Sequence, residues 1–562
     1  MIMKKKDILT LEDSANGFLF KENKSNLNVS FNRVAFIFFV FISVCLIYLI
    51  KILYLGSQKT SLSKNQDKQI IENFRADIVD RNNNFIAKTV NITIAGVNPN
   101  LIIDEDRLLL NLKIIFPDQD IKKIKNKIKK NKYFRLKKQI TAIEKEKLKL
   151  LGDKSIFFED QISRIYPNEN LYSHILGQID DANNGISGLE KKFDFKLKSE
   201  KSPIKLSVDT EVQFLVREEL IKFNKIFRSI GSAAILMDVN NGEILSLVSL
   251  PDFNLNERVL ITDKNYINRI TKGVYELGSV FKTFTVAAAL NEELIEPETE
   301  FLNLEKEIRC GGSTIREYDA EIPENLNAEQ ILIRSGNIGS VRIGQMLGID
   351  RLKKFYNDIG ILNRIDFDID EVGLPIPFKW GKCKLATVSF GHGITTTPLQ
   401  LAKGYSVLSN GGFDIKPTLI LSKKKDQSKK NKIIEKDVSI KINHILRKIV
   451  SSDHGTAGLA NVSGYEIGGK TGTAQKVIDG KYSRLKINTF ASIFPTSNPK
   501  FVLVVLIDEP KTSKDYIYKY RNKSGSYKGT PFNTAGWTSV EIVGNIIDKI
   551  GPILATKYMD VY

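Results

Sequence analysis

Hydrophobic and polar positions divide the chain into stretches of different texture. Val34 to Ile50 carries no charge, and past Lys51 the apolar run resumes at Ile52-Leu-Tyr-Leu55. As a helix, residues 34–55 span roughly 33 Å, enough to cross a hydrocarbon core with Lys51 snorkelling at the far end. No small-x-small cleavage site follows, so the pattern predicts an uncleaved transmembrane anchor. Residues 56–205 alternate short strand-like runs with polar stretches. Within them, Lys122 to Leu151 is lysine-dense with Ile121, Ile124 and Ile128 at helical spacing, which predicts a surface helix. From Ile204 onward, Leu206-Ser-Val-Asp209, Ala233 to Asp238 and Glu243 to Ser249 predict a helix between strands and then a hairpin turning on Asn241-Gly242. Helical patterns continue to about residue 405. Strands return at Phe490–Phe494 and Phe501–Ile507, and a last helix is expected at Thr538–Ile550. The fold class this implies is α+β, an antiparallel sheet packed against a helical lobe. Ser422–Lys432 and Lys511–Thr530 read as surface loops.

The expected organisation is a tail over 1–33, the anchor over 34–55, an intermediate domain over 56–205, a main domain over 206–550 and a tail over 551–562. Lys4, Lys5, Lys6, Lys21, Lys24 and Arg33 all precede the span, so the N-terminus is expected in the cytoplasm and everything after residue 56 outside it. The net charge of +18 by itself would suit nucleic acid, but export excludes most such roles and leaves anionic membrane or wall polymer as the partner.

Cys45 lies in the apolar span, so Cys310 and Cys383 are the only possible pair in the rest of the chain, and no structural bridge is expected between them. With four histidines, His174, His392, His444 and His454, and no His-Glu-x-x-His, neither a metal site nor a cofactor is expected. A serine enzyme built from this composition would use lysine as its base.

The stretch Tyr275-Glu-Leu-Gly-Ser-Val-Phe-Lys282 supplies that pair. Gly278 permits a sharp turn, and the apolar run Thr283 to Leu290 predicts a buried helix with Ser279 in its first turn. Residues three apart share a helix face, so Ser279 and Lys282 have the geometry of a hydroxyl nucleophile beside its amine base. The spacing recurs at Ser61/Lys64, Ser202/Lys205 and Ser422/Lys425, so it carries weight only with what lies downstream. Ser335-Gly-Asn337 and Lys470-Thr-Gly-Thr473 follow in order, the latter preceded by Gly468-Gly469, which lets another chain approach a strand closely.

The order Ser-x-x-Lys, Ser-x-Asn, Lys-Thr-Gly is that of penicillin-binding proteins and serine β-lactamases. Ala386-Thr-Val-Ser-Phe-Gly-His-Gly393 with Thr397-Pro-Leu-Gln400, Gly455-Thr-Ala457, Gly469 to Lys476 and Val505 to Lys511 resemble a class B penicillin-binding protein. Arg75-Ala-Asp-Ile78, Asp80-Arg81, Arg164-Ile-Tyr-Pro167 and Gly185 to Glu190 resemble that family's N-terminal pedestal. The match covers roughly residues 70–550 and looks most like the division-specific peptidoglycan D,D-transpeptidase (FtsI type). Leu277, Gly336 and Ala76 stand where the family often has proline, serine and glycine. The resemblance implies a single transmembrane helix, an elongated pedestal or dimerisation-like domain and a penicillin-binding domain.

For the site, the resemblance implies that Ser279 is acylated by the D-Ala-D-Ala terminus of a peptidoglycan stem peptide while neutral Lys282 takes its proton. Burial and the charge of Lys470 are expected to bring Lys282 near pH 7. The backbone N–H groups of Ser279 and Thr473 would form the oxyanion hole, Ser335 would relay protons, and Asn337 would hold Lys282 and the substrate amide. Lys470, Thr471, Gly472 and Thr473 would bind the terminal carboxylate. An amine from a second stem peptide then completes a crosslink, and β-lactams acylate the same serine. The implied setting is the division septum at the inner membrane, with divisome proteins and a lipid-linked glycan polymerase as partners. Alternatives are the elongation-type transpeptidase, a β-lactam-hydrolysing or sensing protein, and, in another class, a non-catalytic divisome scaffold.

Overall fold

The computed structural model describes residues 24–57, 74–257, 259, 266–421, 431–521 and 524–559. Most of the tail expected at 1–33 and most of the loop expected at Ser422–Lys432 lie outside them. The first helix, α1 (Lys24–Ser57), carries the apolar stretch Arg33–Tyr54, with a mean hydropathy of 2.8 and none of it buried in protein. A helix so apolar and so uncovered suits a bilayer, and it is the one candidate span among the described residues.

The second compact unit begins at Asn73. Its first sheet holds β1 (Ile78–Val79), β2 (Phe85–Val97), β3 (Phe134–Ile140), β4 (Ile156–Ile165) and β5 (Ile204–Lys205), in the order β3-β2-β1-β5 with β4 also on β2. Between β2 and β4 lie α2 (Glu105–Ile115), α3 (Ile121–Ile128) and α4 (Ala142–Leu150), which share a small core of Leu108, Leu112, Ile124, Ile128 and Leu148. The single surface helix expected from Lys122 to Leu151 is therefore helix, strand, helix. Phe134–Ile140 pairs with β2, and Thr141 restarts the helix through a capping box with Glu144, a tertiary pairing that lysine density conceals.

Three pedestal motifs meet at one carboxylate. Glu190 accepts Arg75 Nη2 at 2.7 Å and Arg164 Nε at 2.9 Å, and all three side chains are sealed from solvent. Arg164 also donates to Ala76 O at 2.8 Å, and Tyr166 donates to Glu190 at 3.2 Å. Breaking such a pair would strand a buried charge, so the knot fixes how β1, β4 and the Gly185–Glu190 turn meet.

The main sheet comprises β6 (Gly231–Asp238), β7 (Ile244–Leu250), β10 (Gly468–Ile478), β11 (Lys481–Phe494) and β12 (Phe501–Asp508), all antiparallel in the order β10-β11-β12-β6-β7. Strands β6 and β12 are buried along their whole length, so both faces are covered. One covering pair is α5 (Thr210–Phe227) with α11 (Ser539–Tyr558); another is α9 (Pro398–Ser409) with α10 (Lys436–Ser451). The helical lobe adds α6 (Lys282–Asn291), the hairpin β8 (Glu307–Cys310) and β9 (Ser313–Arg316), α7 (Asn337–Asp358) and α8 (Lys382–Ser389).

Two expectations are corrected. Cys310, ending β8, and Cys383, in the first turn of α8, form a disulfide with Cα atoms 5.4 Å apart; the chain between them runs out through α7 and back, which spacing alone cannot reveal. The tail expected from residue 551 is helical through Tyr558. Pro552 does not end α11 because the helix continues against α5, with Leu554 buried and Lys557 donating to Glu211 at 2.9 Å.

Candidate active site

The turn bearing Ser279 is a single 3-10 turn, Gly278–Phe281, that runs into α6, rather than the first turn of the α-helix itself. Gly278 has φ +65°, and a Cβ there would lie 2.9 Å from Thr473 O and 3.3 Å from Thr473 N, so the turn rests directly on β10. Gly472 answers from the strand, where a Cβ would fall 2.1 Å from Leu277 O. Behind the turn, a Cβ on Gly391 would come within 1.9 Å of Gly278 O, which explains a glycine in the Ser389–Gly393 phrase. Below it, Tyr405 donates to Val280 O at 3.0 Å, and its ring meets Phe284 edge-on at 5.4 Å.

Lys282, the first residue of α6, is fully buried and donates to Ser335 Oγ at 3.1 Å, to Asn337 Oδ1 at 2.7 Å and to Ser335 O. Lys470 on β10 is also fully buried and donates to Ser335 Oγ at 2.8 Å. Ser335 sits at φ +60°, a conformation rare for a residue with a side chain, and its hydroxyl stands between the two amines. Gly468 lets α10 pass close behind β10, since a Cβ there would lie 2.9 Å from Arg447 N.

Burial drives Lys282 down to about 7, with Glu317 pulling the other way. Holding a lysine there costs its charged form about 5 kcal/mol relative to water. The expectation that Lys470 would depress Lys282 is reversed in emphasis: burial first, and then the neighbouring Lys282, hold Lys470 well below the usual lysine range. Ser279 Oγ itself, half-buried, makes no hydrogen bond among the described residues, so the hydroxyl is not committed to another partner.

Of the residues expected to bind a carboxylate, Thr471 shares a 2.8 Å hydroxyl contact with Thr456, and Thr473 Oγ1 accepts Ala535 N at 2.9 Å. Gly472 packs beneath the nucleophile's turn. Sequence reasoning named Gly455-Thr-Ala457 but gave Thr456 no part, and it missed Glu317 altogether. Glu317 lies just past β9 and accepts Asn337 N at 2.7 Å and Ile338 N at 2.8 Å, and Asn337 Nδ2 donates to Arg316 O at 2.8 Å. At the rim, His392 stacks on Tyr482 with centroids 4.6 Å apart, and Glu276 accepts Gly393 N at 3.1 Å and the Tyr482 hydroxyl at 3.2 Å. No group of three or more metal-ligating side chains is gathered among the described residues.

Residues 232–531 match the penicillin binding protein transpeptidase domain, and residues 70–222 match the penicillin-binding protein dimerisation domain. The chain is 29% identical over 503 residues to a probable peptidoglycan D,D-transpeptidase FtsI of Caulobacter vibrioides, covering 87% of this chain and 83% of that one. It is 31% identical to a probable peptidoglycan D,D-transpeptidase PenA of Neisseria flavescens, over 55% of this chain and 77% of that protein. The fold resembles crystalline penicillin binding protein 3 of Mycobacterium tuberculosis, with a TM-score of 0.64 at 20% identity over 86% of this chain and 96% of that one. With a dimerisation domain preceding a transpeptidase domain that spans more than half its length, the chain belongs to the penicillin-binding proteins and is a class B transpeptidase.

Proposed function

We propose that this protein crosslinks peptidoglycan stem peptides through a Ser279 acyl-enzyme during septal wall synthesis. The observation that carries the reading is the Ser335 hydroxyl held between two fully buried lysines, one of them brought down to about 7 and closing the turn that bears Ser279 through its own backbone N–H to Ser279 O. A lysine neutral near physiological pH can take a proton that an ordinary lysine cannot.

Lys282 removes the Ser279 proton as Oγ attacks the carbonyl of the terminal D-Ala-D-Ala bond. The backbone N–H groups of Ser279 and Thr473 receive the developing oxyanion, a contribution of about 3–4 kcal/mol per donor in comparable enzymes. Ser335 passes the proton from the lysines to the leaving D-alanine amine, and Asn337 keeps Lys282 aimed. Lys470 with the hydroxyls of Thr471 and Thr473 receives the terminal carboxylate; because Thr473 Oγ1 already accepts Ala535 N, its own proton is free to be donated. An amine of a second stem peptide then attacks the acyl-enzyme, and holding it in place raises its effective concentration over water.

In this reading residues 1–33 lie in the cytoplasm, 34–55 span the inner membrane, and 56–205 form the pedestal beneath a transpeptidase domain of 206–550 at the septum. Divisome proteins and a lipid-linked glycan polymerase are its partners there. Intact-mass spectrometry of the full chain after penicillin treatment tests the chemistry. One covalent adduct is expected, absent from Ser279→Ala, and an adduct retained in that variant overturns the reading. A fluorescent fusion spread along the lateral wall would overturn the septal part alone.

A further inference from the structure

Glu317 belongs to no motif, yet its carboxylate spans the first two amides of α7, accepting Asn337 N at 2.7 Å and Ile338 N at 2.8 Å. Gly336, the residue at the cap position, has no side chain to satisfy those donors, so the carboxylate does so from a different segment. A negative charge at a helix N-terminus is favoured by the helix dipole, which holds the carboxylate in place. Asn337 is thereby fixed at both ends. Its amide N–H is bound by Glu317, its Nδ2 donates to Arg316 O at 2.8 Å, and its Oδ1 is left to accept Lys282 Nζ at 2.7 Å.

We infer that Glu317 is a positioning residue for the transpeptidase reaction: through Asn337 it aims the Lys282 amine at Ser335 and the Ser279 turn. The inference rests on the acyl-enzyme reading above and names a residue that reading did not use.

Charged groups facing Lys282 come from two elements: Lys470 on β10, which meets the same Ser335 hydroxyl, and Glu317 past β9. Ser335 and Asn337 complete its surroundings as neutral partners. Around the adjoining Tyr318, Glu317 is joined by Asp319 and Arg334, and the neighbouring Arg316 is paired with Glu307 at 2.8 Å across the hairpin. Glu317 is therefore the negative charge that offsets burial at Lys282, and removing it makes the protonated amine harder to keep.

The test is the pH dependence of the Ser279 acylation rate, measured with fluorescent penicillin on the full chain in detergent. Acylation rises with pH as Lys282 loses its proton. In Glu317→Gln that rise is expected to move toward acid by roughly 0.5–1 pH unit, with the plateau rate lowered about tenfold because one cap acceptor is lost. Glu317→Asp keeps the charge with a shorter reach, so its rise is expected to stay at the wild-type pH with a lowered plateau. A merely structural role would lower both plateaus and leave both rises in place.

A glutamine variant that folds and keeps the wild-type rise overturns the assignment. Should the glutamine variant not fold, the isosteric pair Glu317→Asn and Glu317→Asp decides: a rise that lies further toward acid in the asparagine variant than in the aspartate variant supports the assignment, and rises at the same pH overturn it. A wild-type chain that takes up no penicillin at any pH overturns the acyl-enzyme reading, and this role with it. A wild type that labels beside an unmoved glutamine variant overturns this role alone.

Discussion

Lys470 Nζ lies 2.8 Å from Ser335 Oγ although 135 residues separate them, and Lys282 reaches the same oxygen from the opposite motif at 3.1 Å. One hydroxyl thus touches both amines, and it is the only side chain among the described residues that does so. Ser335→Ala removes the bridge while leaving a residue able to occupy the same buried position. Its acylation by penicillin is expected to fall roughly 10²- to 10⁴-fold, the range for loss of a proton-transfer group. Stopped-flow labelling checks this, and an unchanged rate would show that the relay runs elsewhere.

Lys282 ties this chemistry to stability. Its folded value of about 7 is depressed from the unfolded 10.5, so between those values the unfolded chain binds more protons than the folded one. Stability therefore rises with pH across that window, and the penalty, roughly 5 kcal/mol, is fully present below pH 7 and gone above about 10.5. Compared with Lys282→Met, the wild type is expected to gain stability as pH rises from 7 to 10. Denaturant unfolding of both proteins at several pH values measures the difference. Parallel curves would mean that the lysine is not held neutral by the fold.

The two-fold character of the main domain, strands around 231–250 and 481–508 with helices between, was legible because each stretch keeps its own period. The three motifs were legible as an order, but not as a pocket. What the sequence could not convey was which backbone must lie against which: Gly278 on Thr473, Gly391 on Gly278, Gly468 beneath α10. Glu317 escaped notice for the same reason, since a carboxylate that caps a helix from another segment has no local spacing to betray it. The lysine-rich stretch after Ile121 misled because exposed lysines suit a strand's outer face as readily as a helix's.

The Cys310–Cys383 disulfide joins the hairpin that ends at Arg316, just before Glu317, to the start of α8, whose far end leads into the Ser389–Gly393 phrase behind the nucleophile. It closes a long loop, so its loss is expected to cost about 2–4 kcal/mol. The double variant Cys310→Ser/Cys383→Ser should melt at a lower temperature and acylate more slowly, because the hairpin that fixes Asn337 is no longer tethered. Thermal unfolding and penicillin labelling, each with and without reductant, check both effects. Reductant should leave the double variant unchanged, and a wild type equally indifferent to it would remove the hairpin's tether from the account.

Gly278 offers the sharpest test of the oxyanion hole. Its φ of +65° costs a residue with a side chain about 1–2 kcal/mol, and the new Cβ would press on Thr473 O at 2.9 Å. Relief comes only by moving the turn off β10, which separates the amide of Ser279 from that of Thr473 without touching Lys282, Ser335 or Lys470. Gly278→Ala should therefore lose roughly 10²- to 10³-fold in acylation rate, the effect of one missing oxyanion donor, while the pH at which the rate rises stays that of the wild type. Gly336 supplies the control. A Cβ there meets nothing closer than Glu317 Oε1 at 3.6 Å, and its φ of −62° suits any residue, so Gly336→Ser should acylate within a few-fold of wild type. If the two substitutions slowed the reaction equally, close contact between the turn and the strand would not be what builds the hole.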